Sequence, residues 1–188
     1  EIYAVQGLAD KTIADVAAAI EANPNDIYCL YTRMRHYSEL SDWNRAKQDA
    51  TTMIDRIRQG TLEPDSHSLA ELLLLRSKYN VQLDRVAEAI ADASAAIEAD
   101  PKSAECFAER AECYRQAREL PLARRDLTTA IEGVRQQKLT SKGVSPPDLH
   151  RRRATVNLFL GDHAAYEADR AEAERLEKEE ASKEAGKP

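Results

Sequence analysis

Apolar residues return at helical spacing along this chain. Phe107, Ala111 and Tyr114 form one stripe, and Ala123, Leu127, Ala130 and Ile131 form a second, over 104–117 and 120–133. Asp100-Pro101-Lys102-Ser103 interrupts the chain before the first stripe. Pro121 suits the first turn of a helix under the second, where its missing N–H removes no bond. The pattern predicts helix, tight turn, helix.

The same pattern recurs. Asp15 to Pro24 (DVAAAIEANP) and Asp92 to Pro101 (DASAAIEADP) agree at seven of ten positions, offset by 77 residues. Thr51 to Gln59 and Thr128 to Gln136 agree at five of nine, at the same offset. This unit divides into steps of 34 and 43 residues, marked by Arg33, Arg76, Arg110 and Arg153. An Asp follows each Arg by 16 residues: Asp49, Asp92, Asp126 and Asp169; Asp15 is a fifth without its Arg. The longer step carries a nine-residue insertion, at Gln59–Ser68 and Gln136–Pro146, rich in loop-forming residues.

In this pattern the chain resembles the tetratricopeptide-repeat family, whose helix pairs of about 34 residues carry small residues at positions 8, 20 and 27 and an aromatic at 11. With Ala104 as position 1, these become Ala111, Ala123, Ala130 and Tyr114. The unit from Ala70 gives Ser77, Ala89, Ala96 and Asn80. The unit from Ile27 gives Met34, Ala46, Met53 and Tyr37, and that from Pro147 gives Ala154, Tyr166, Ala173 and Asn157. Met34 and Tyr166 replace small residues, so looser packing is expected there. The resemblance implies an all-α fold: a right-handed superhelical solenoid of antiparallel helix pairs with a C-terminal capping helix. Its parts are a partial repeat over 1–26, with Tyr3 ending a first helix before a complete second one, and repeats over 27–69, 70–103, 104–146 and 147–176. The end of the capping helix and a tail occupy 177–188. In such a hairpin positions 7 and 23 face each other, which predicts a ladder of Arg–Asp ion pairs tying helix to helix.

Composition narrows function. The 188 residues carry 27 Lys and Arg against 33 Asp and Glu, a net charge of −6, and the stretch after Gly161 alone holds nine acids and five bases. That balance argues against broad nucleic-acid affinity, which rests on neutralising phosphates. The six Gly are scattered, so no phosphate-cradling loop exists. No apolar run reaches the length of a membrane span, and Glu1–Asp10 lacks the pattern of a secretory signal. The odd number of cysteines favours a reducing, cytoplasmic setting. The missing initiator Met leaves room for a preceding segment, and the partial repeat is read as exposing an apolar helix face.

No constellation points to catalysis. Cys29, Cys106 and Cys113 fall on inward positions as small buried hydrophobes. His36, His67, His150 and His163 share no ligand spacing, and the adjacent Ser66 and His67 are poorly arranged for a triad. No enzyme, cofactor or metal is expected.

The family uses positions 2, 5, 6, 9, 12 and 13 of its first helices to hold peptides in a concave groove. Carried over, these give Tyr28, Tyr31, Thr32 and Arg35, then Glu71, Leu74, Leu75 and Lys78, then Glu105, Glu109, Glu112 and Arg115, and finally Asp148, Arg151 and Arg152. The resemblance thus implies a non-catalytic scaffold or adaptor that binds a partner peptide or helix, with Tyr28, Tyr31 and Leu75 as anchors and Arg151 and Arg152 holding an acidic element. The family's carboxylate clamp for chaperone tails is not matched: its positions carry Tyr31, Arg35, Leu75, Glu105 and Glu109 in one frame, and Leu74, Lys78, Glu109, Asp148 and Arg152 in the next. The alternatives are a self-assembling structural component and a chaperone-associated adaptor using another surface. His150–Arg153, the one basic run, raises RNA as a minor option.

Overall fold

A computed structural model describes residues 2–24, 26–62 and 68–185, the first nine and last three by their backbone only. Ser66, His67 and the side chain of Tyr3 lie outside the described residues. Among the described residues the regular structure is helical: α1 (Ile2–Ala22), α2 (Ile27–Glu39), α3 (Trp43–Arg58), α4 (Leu69–Gln82), α5 (Val86–Ala99), α6 (Ala104–Gln116), α7 (Leu120–Arg135), α8 (Pro146–Phe159) and α9 (His163–Ala185). The chain divides into two compact units, Glu1–Ala96 and Ile97–Pro188.

Local chemistry explains where the helices start and stop. The side chains of Asp26, Asp42, Ser68 and Ser145 accept the N–H three residues on, satisfying orphan donors of the first turn. Asp162 does the same for Ala165 at the start of α9. Between the helices of each pair one residue turns left-handed: Ser41, Asp84, Arg118 and Gly161, with φ of 59°, 59°, 63° and 74°. All four hold position 15 of their repeats.

The partial repeat behaves differently. Its position 15 is Gly7, yet α1 runs straight through it, and the two helices expected over residues 1–23 are one.

The core of the second unit is built from Ala104, Ala108, Ala111, Ala123, Leu127, Ala130, Val144, Leu149 and Val156. Alanines at the small positions let helix axes approach closely. In the first unit Leu30, Met34, Met53, Ile54, Leu72 and Leu73 are fully buried. Met34 is 1% exposed, its unbranched thioether filling the space at that position. Tyr166 stays half-buried under Arg170, whose guanidinium lies 5.6 Å from its ring centre.

The ladder forms within each repeat. Arg33 grips Asp49 through Nε (2.9 Å) and Nη2 (2.7 Å), and Arg76–Asp92, Arg110–Asp126 and Arg153–Asp169 repeat this fork. Arg76 also donates to Thr51 of the preceding pair (3.3 Å), and Arg153 to Thr128 (3.2 Å). Asp15, lacking its Arg, is exposed.

The second insertion is an ordered strap. Thr140 accepts the Ala104 N–H at 2.9 Å and donates its own to Lys102 at 2.7 Å. The start of α6 is thereby completed by the loop, whereas its N-cap Ser103 makes no side-chain cap bond. A Cβ on Gly133 would fall 2.5 Å from Leu139, so this glycine opens the side of α7 to the loop's apolar residue.

Candidate functional site

The residues carried to the groove sort into two groups, one in each unit. In the first, Tyr28 projects from α2 at 72% exposure, and Arg35 and Lys78 are also exposed. Tyr31, Thr32 and Leu75 are half-buried. Tyr31 bonds Glu71 across from α4; burial raises its hydroxyl pKa first, the Glu71 charge adds to this, and Arg35 opposes it. Leu74 does not line this face. It is 5% exposed, because an aliphatic side chain gains about 2 kcal/mol by leaving water and the helices beside α4 offer room. Behind this face Tyr79 is buried against Trp43, ring centres 6.1 Å apart.

In the second unit α6 and α8 enclose a cavity of about 340 Å³. Ala108, Ala111, Leu127 and Val156 give it an apolar floor, and Arg115, Arg152 and Phe159 stand on its walls. The rim charges are already satisfied. Arg115 forks onto Glu112 (2.8 and 2.5 Å), and Arg152 reaches Glu109 at 3.0 Å. Burial alone would raise the Glu112 pKa, but hydrogen bonds from Arg115 and Gln116 outweigh it and hold the carboxyl below its usual range.

Two expectations need correction here. Glu109 is buried, 8% exposed, because Arg152 lies across it, so it offers no open acidic surface. Glu105 is half-covered by the strap: a Cβ on Gly143 would collide with its carboxylate. Arg151 and Arg152 do not stand free for an acidic element either. Arg151 pairs with Asp148 at 2.7 Å and with Glu177 of α9, while Arg152 is committed to Glu109.

Phe159 is 53% exposed and Leu158 44%, and neither is among the sequence candidates. The signal was present: positions 9, 12 and 13 of the repeat from Pro147 are Thr155, Leu158 and Phe159.

The chemistry-bearing residues remain dispersed. Among the described residues no three His, Cys, Asp or Glu gather as a metal site. Cys106 and Cys113 are buried, while Cys29 is half-buried. No helix among the described residues is long and apolar enough to cross a membrane.

No family model and no curated protein matches the chain. Solved structures do. A crystal structure of MamA aligns at a TM-score of 0.71 and 17% identity, over 95% of this chain and 94% of that one. A thermophilic tetratricopeptide-repeat protein of Thermus thermophilus aligns at 0.64 and 20% identity, covering 92% and 84%. YrrB, described as a tetratricopeptide-repeat protein with an unusual peptide-binding site, aligns at 0.62 and 13%, covering 92% and 79%. The chain has the all-α helical-repeat fold of the tetratricopeptide-repeat proteins.

Proposed function

We propose that the chain is a non-catalytic protein-binding module, a scaffold or adaptor that seats a segment of a partner protein in the α6–α8 cavity. The observation that carries this reading is the cavity itself: an apolar floor, an exposed Phe159, and rim charges neutralised in pairs. Such a site takes an apolar side chain as anchor and asks no charge of it. Tyr28, Tyr31 and Leu75 form a second contact face in the first unit, where an aromatic and an aliphatic side chain stand beside polar groups, as at interface anchors. The pairing of Arg151 and Arg152 favours protein over RNA as partner, since a phosphate would have to displace a carboxylate from each. The resemblance of the YrrB fold supports peptide binding as the mode. The repeat frame of 27–69, 70–103, 104–146 and 147–176, and a cytoplasmic setting for three unpaired cysteines, belong to the same reading.

Selection of displayed random peptides on the immobilised chain tests it. The enriched sequences are then tested separately on Phe159→Glu and on Tyr31→Ala/Leu75→Glu, with helicity checked by circular dichroism. A family of sequences sharing an apolar anchor, lost on Phe159→Glu, is the expected result. Sequences lost only on the Tyr31/Leu75 variant move the site to the first unit. No enrichment, with a mass that rises with concentration in light scattering, replaces the proposal by self-assembly.

A further inference from the structure

The second unit holds another cavity, of about 260 Å³, which shares no lining residue with the first. It opens between α7, the start of α8, and α9. Ile131, Val134, Leu149 and Leu176 make it apolar, and His150 and Arg135 bring the polar groups. Its volume lies below that of drug-sized ligand sites and suits one side chain.

His150 is the outlier of the repeats. It holds position 4, where the other units carry Leu30, Leu73 and Phe107. Its Nδ1 lies 2.9 Å from Oδ1 of Asp169, whose oxygens also accept from Arg153 and Asn157. The ladder does not require this histidine: Asp92 is held by Arg76 and Asn80 with Leu73 at the same position. A carboxylate only accepts, so Nδ1 donates to Asp169, and Nε2 is the second polar atom of the ring. Among the described residues no hydrogen bond engages Nε2.

The charges on the lining are unevenly spent. Arg175 forks onto Glu172 at 2.8 and 2.6 Å and also pairs with Glu179. Arg135 makes no ion pair among the described residues. The cavity therefore presents an apolar pocket, an imidazole and an unmatched cation.

We propose that this cavity binds the carboxy-terminal residue of a peptide, with a Leu-sized side chain among Ile131, Val134, Leu149 and Leu176, its N–H donated to Nε2 of His150, and its carboxylate paired with Arg135. This site is independent of the α6–α8 cavity and of the reading built on it.

The test is an NMR titration of the full chain, reading the methyl groups of Ile131, Leu149 and Leu176. The probes are N-acetyl-alanyl-leucine, the same dipeptide ending in a carboxamide, and octanoate. The acid is expected to give saturable shifts, with the carboxamide about tenfold weaker, the scale of a charge-assisted bond. Arg135→Gln, an exposed change, should bring the acid to the affinity of the carboxamide. His150→Phe, which restores the apolar residue of position 4, should weaken both dipeptides alike. Equal affinity for acid and carboxamide, no shifts at millimolar dipeptide, or no effect of Arg135→Gln would overturn the proposal. Tighter binding of octanoate than of the acid would overturn the peptide assignment in favour of a fatty acid.

Discussion

Replacing Asp169 by Ala should cost clearly more stability than replacing Asp126. Both carboxylates are almost fully buried, at 4% and 3% exposure, and both face an Arg fork. Asp126 accepts two hydrogen bonds, from Nε (2.7 Å) and Nη2 (2.9 Å) of Arg110. Asp169 accepts four: two from Arg153, one from His150 and one from Asn157. Removing one partner of a buried pair costs about 3–5 kcal/mol. The Arg110 and Arg153 side chains are 19% and 22% exposed and can still reach water, which places Asp126→Ala near the lower end, about 3 kcal/mol. Asn157 has no such outlet. It is 2% exposed and its Oδ1 has no partner among the described residues, so losing Asp169 leaves the amide without one there. A buried polar group left unmade costs about 1–3 kcal/mol, which sets the expected gap between the two variants. Urea unfolding followed by circular dichroism, with amide exchange in α8 and α9 as the local readout, measures it. The double variant Asp169→Ala/Asn157→Leu should recover most of the gap. Equal costs at Asp126 and Asp169, or no recovery in the double variant, would refute the reasoning.

Other outcomes follow from the same geometry. Burial alone would raise the Asp169 pKa, but hydrogen bonds from His150 and Arg153 outweigh it and hold the carboxyl below its usual value. A depressed folded pKa gives stability that is full above the unfolded value, near pH 4, and is lost as pH falls through the lower folded one. Asp169→Asn should therefore flatten that part of the acid unfolding curve. Burial raises the thiol pKa of Cys106, and of Cys29, where a hydrogen bond with Asp26 adds to it. A thiol reagent at neutral pH should modify Cys29 first, more slowly than free cysteine, and reach Cys106 and Cys113 only in denaturant. Arg118 holds φ at 63°, so Arg118→Gly should stabilise by about 0.5–1 kcal/mol in thermal unfolding. Gly133→Ala should push Leu139 off α7, and hydrogen exchange should then quicken at the Thr140 and Ala104 amides.

Much of this architecture is legible because a repeat states each contact several times. Four Arg–Asp spacings in register imply the ladder on their own, and the turn residues fall at one position in every pair. What the repeat does not convey is how neighbours settle their charges. Position 6 marks Glu109 and Arg152 as separate groove residues, yet across adjoining helices they meet as an ion pair and neutralise each other. Position 5 marks Leu74 as surface, although an aliphatic side chain there turns inward. The path of the second insertion escapes as well, since it lies outside the 34-residue frame. The folding of Thr140 back onto Lys102 and Ala104 rests on two backbone bonds, which leave no trace in side-chain identity, and one from the Thr140 hydroxyl to Lys102.

That backbone exchange gives the second unit a direction in time. In synthesis α6 and α7 emerge as a hairpin whose first turn is still open, because the carbonyl that closes it belongs to a residue beyond the end of α7. The hairpin is finished only when the strap arrives, and the strap is anchored in turn by Val144, buried in the same core as Leu149 of α8. The α6–α7 pair is thus sealed by the sequence that follows it, so a nascent chain halted after α7 would hold its helices without their latch.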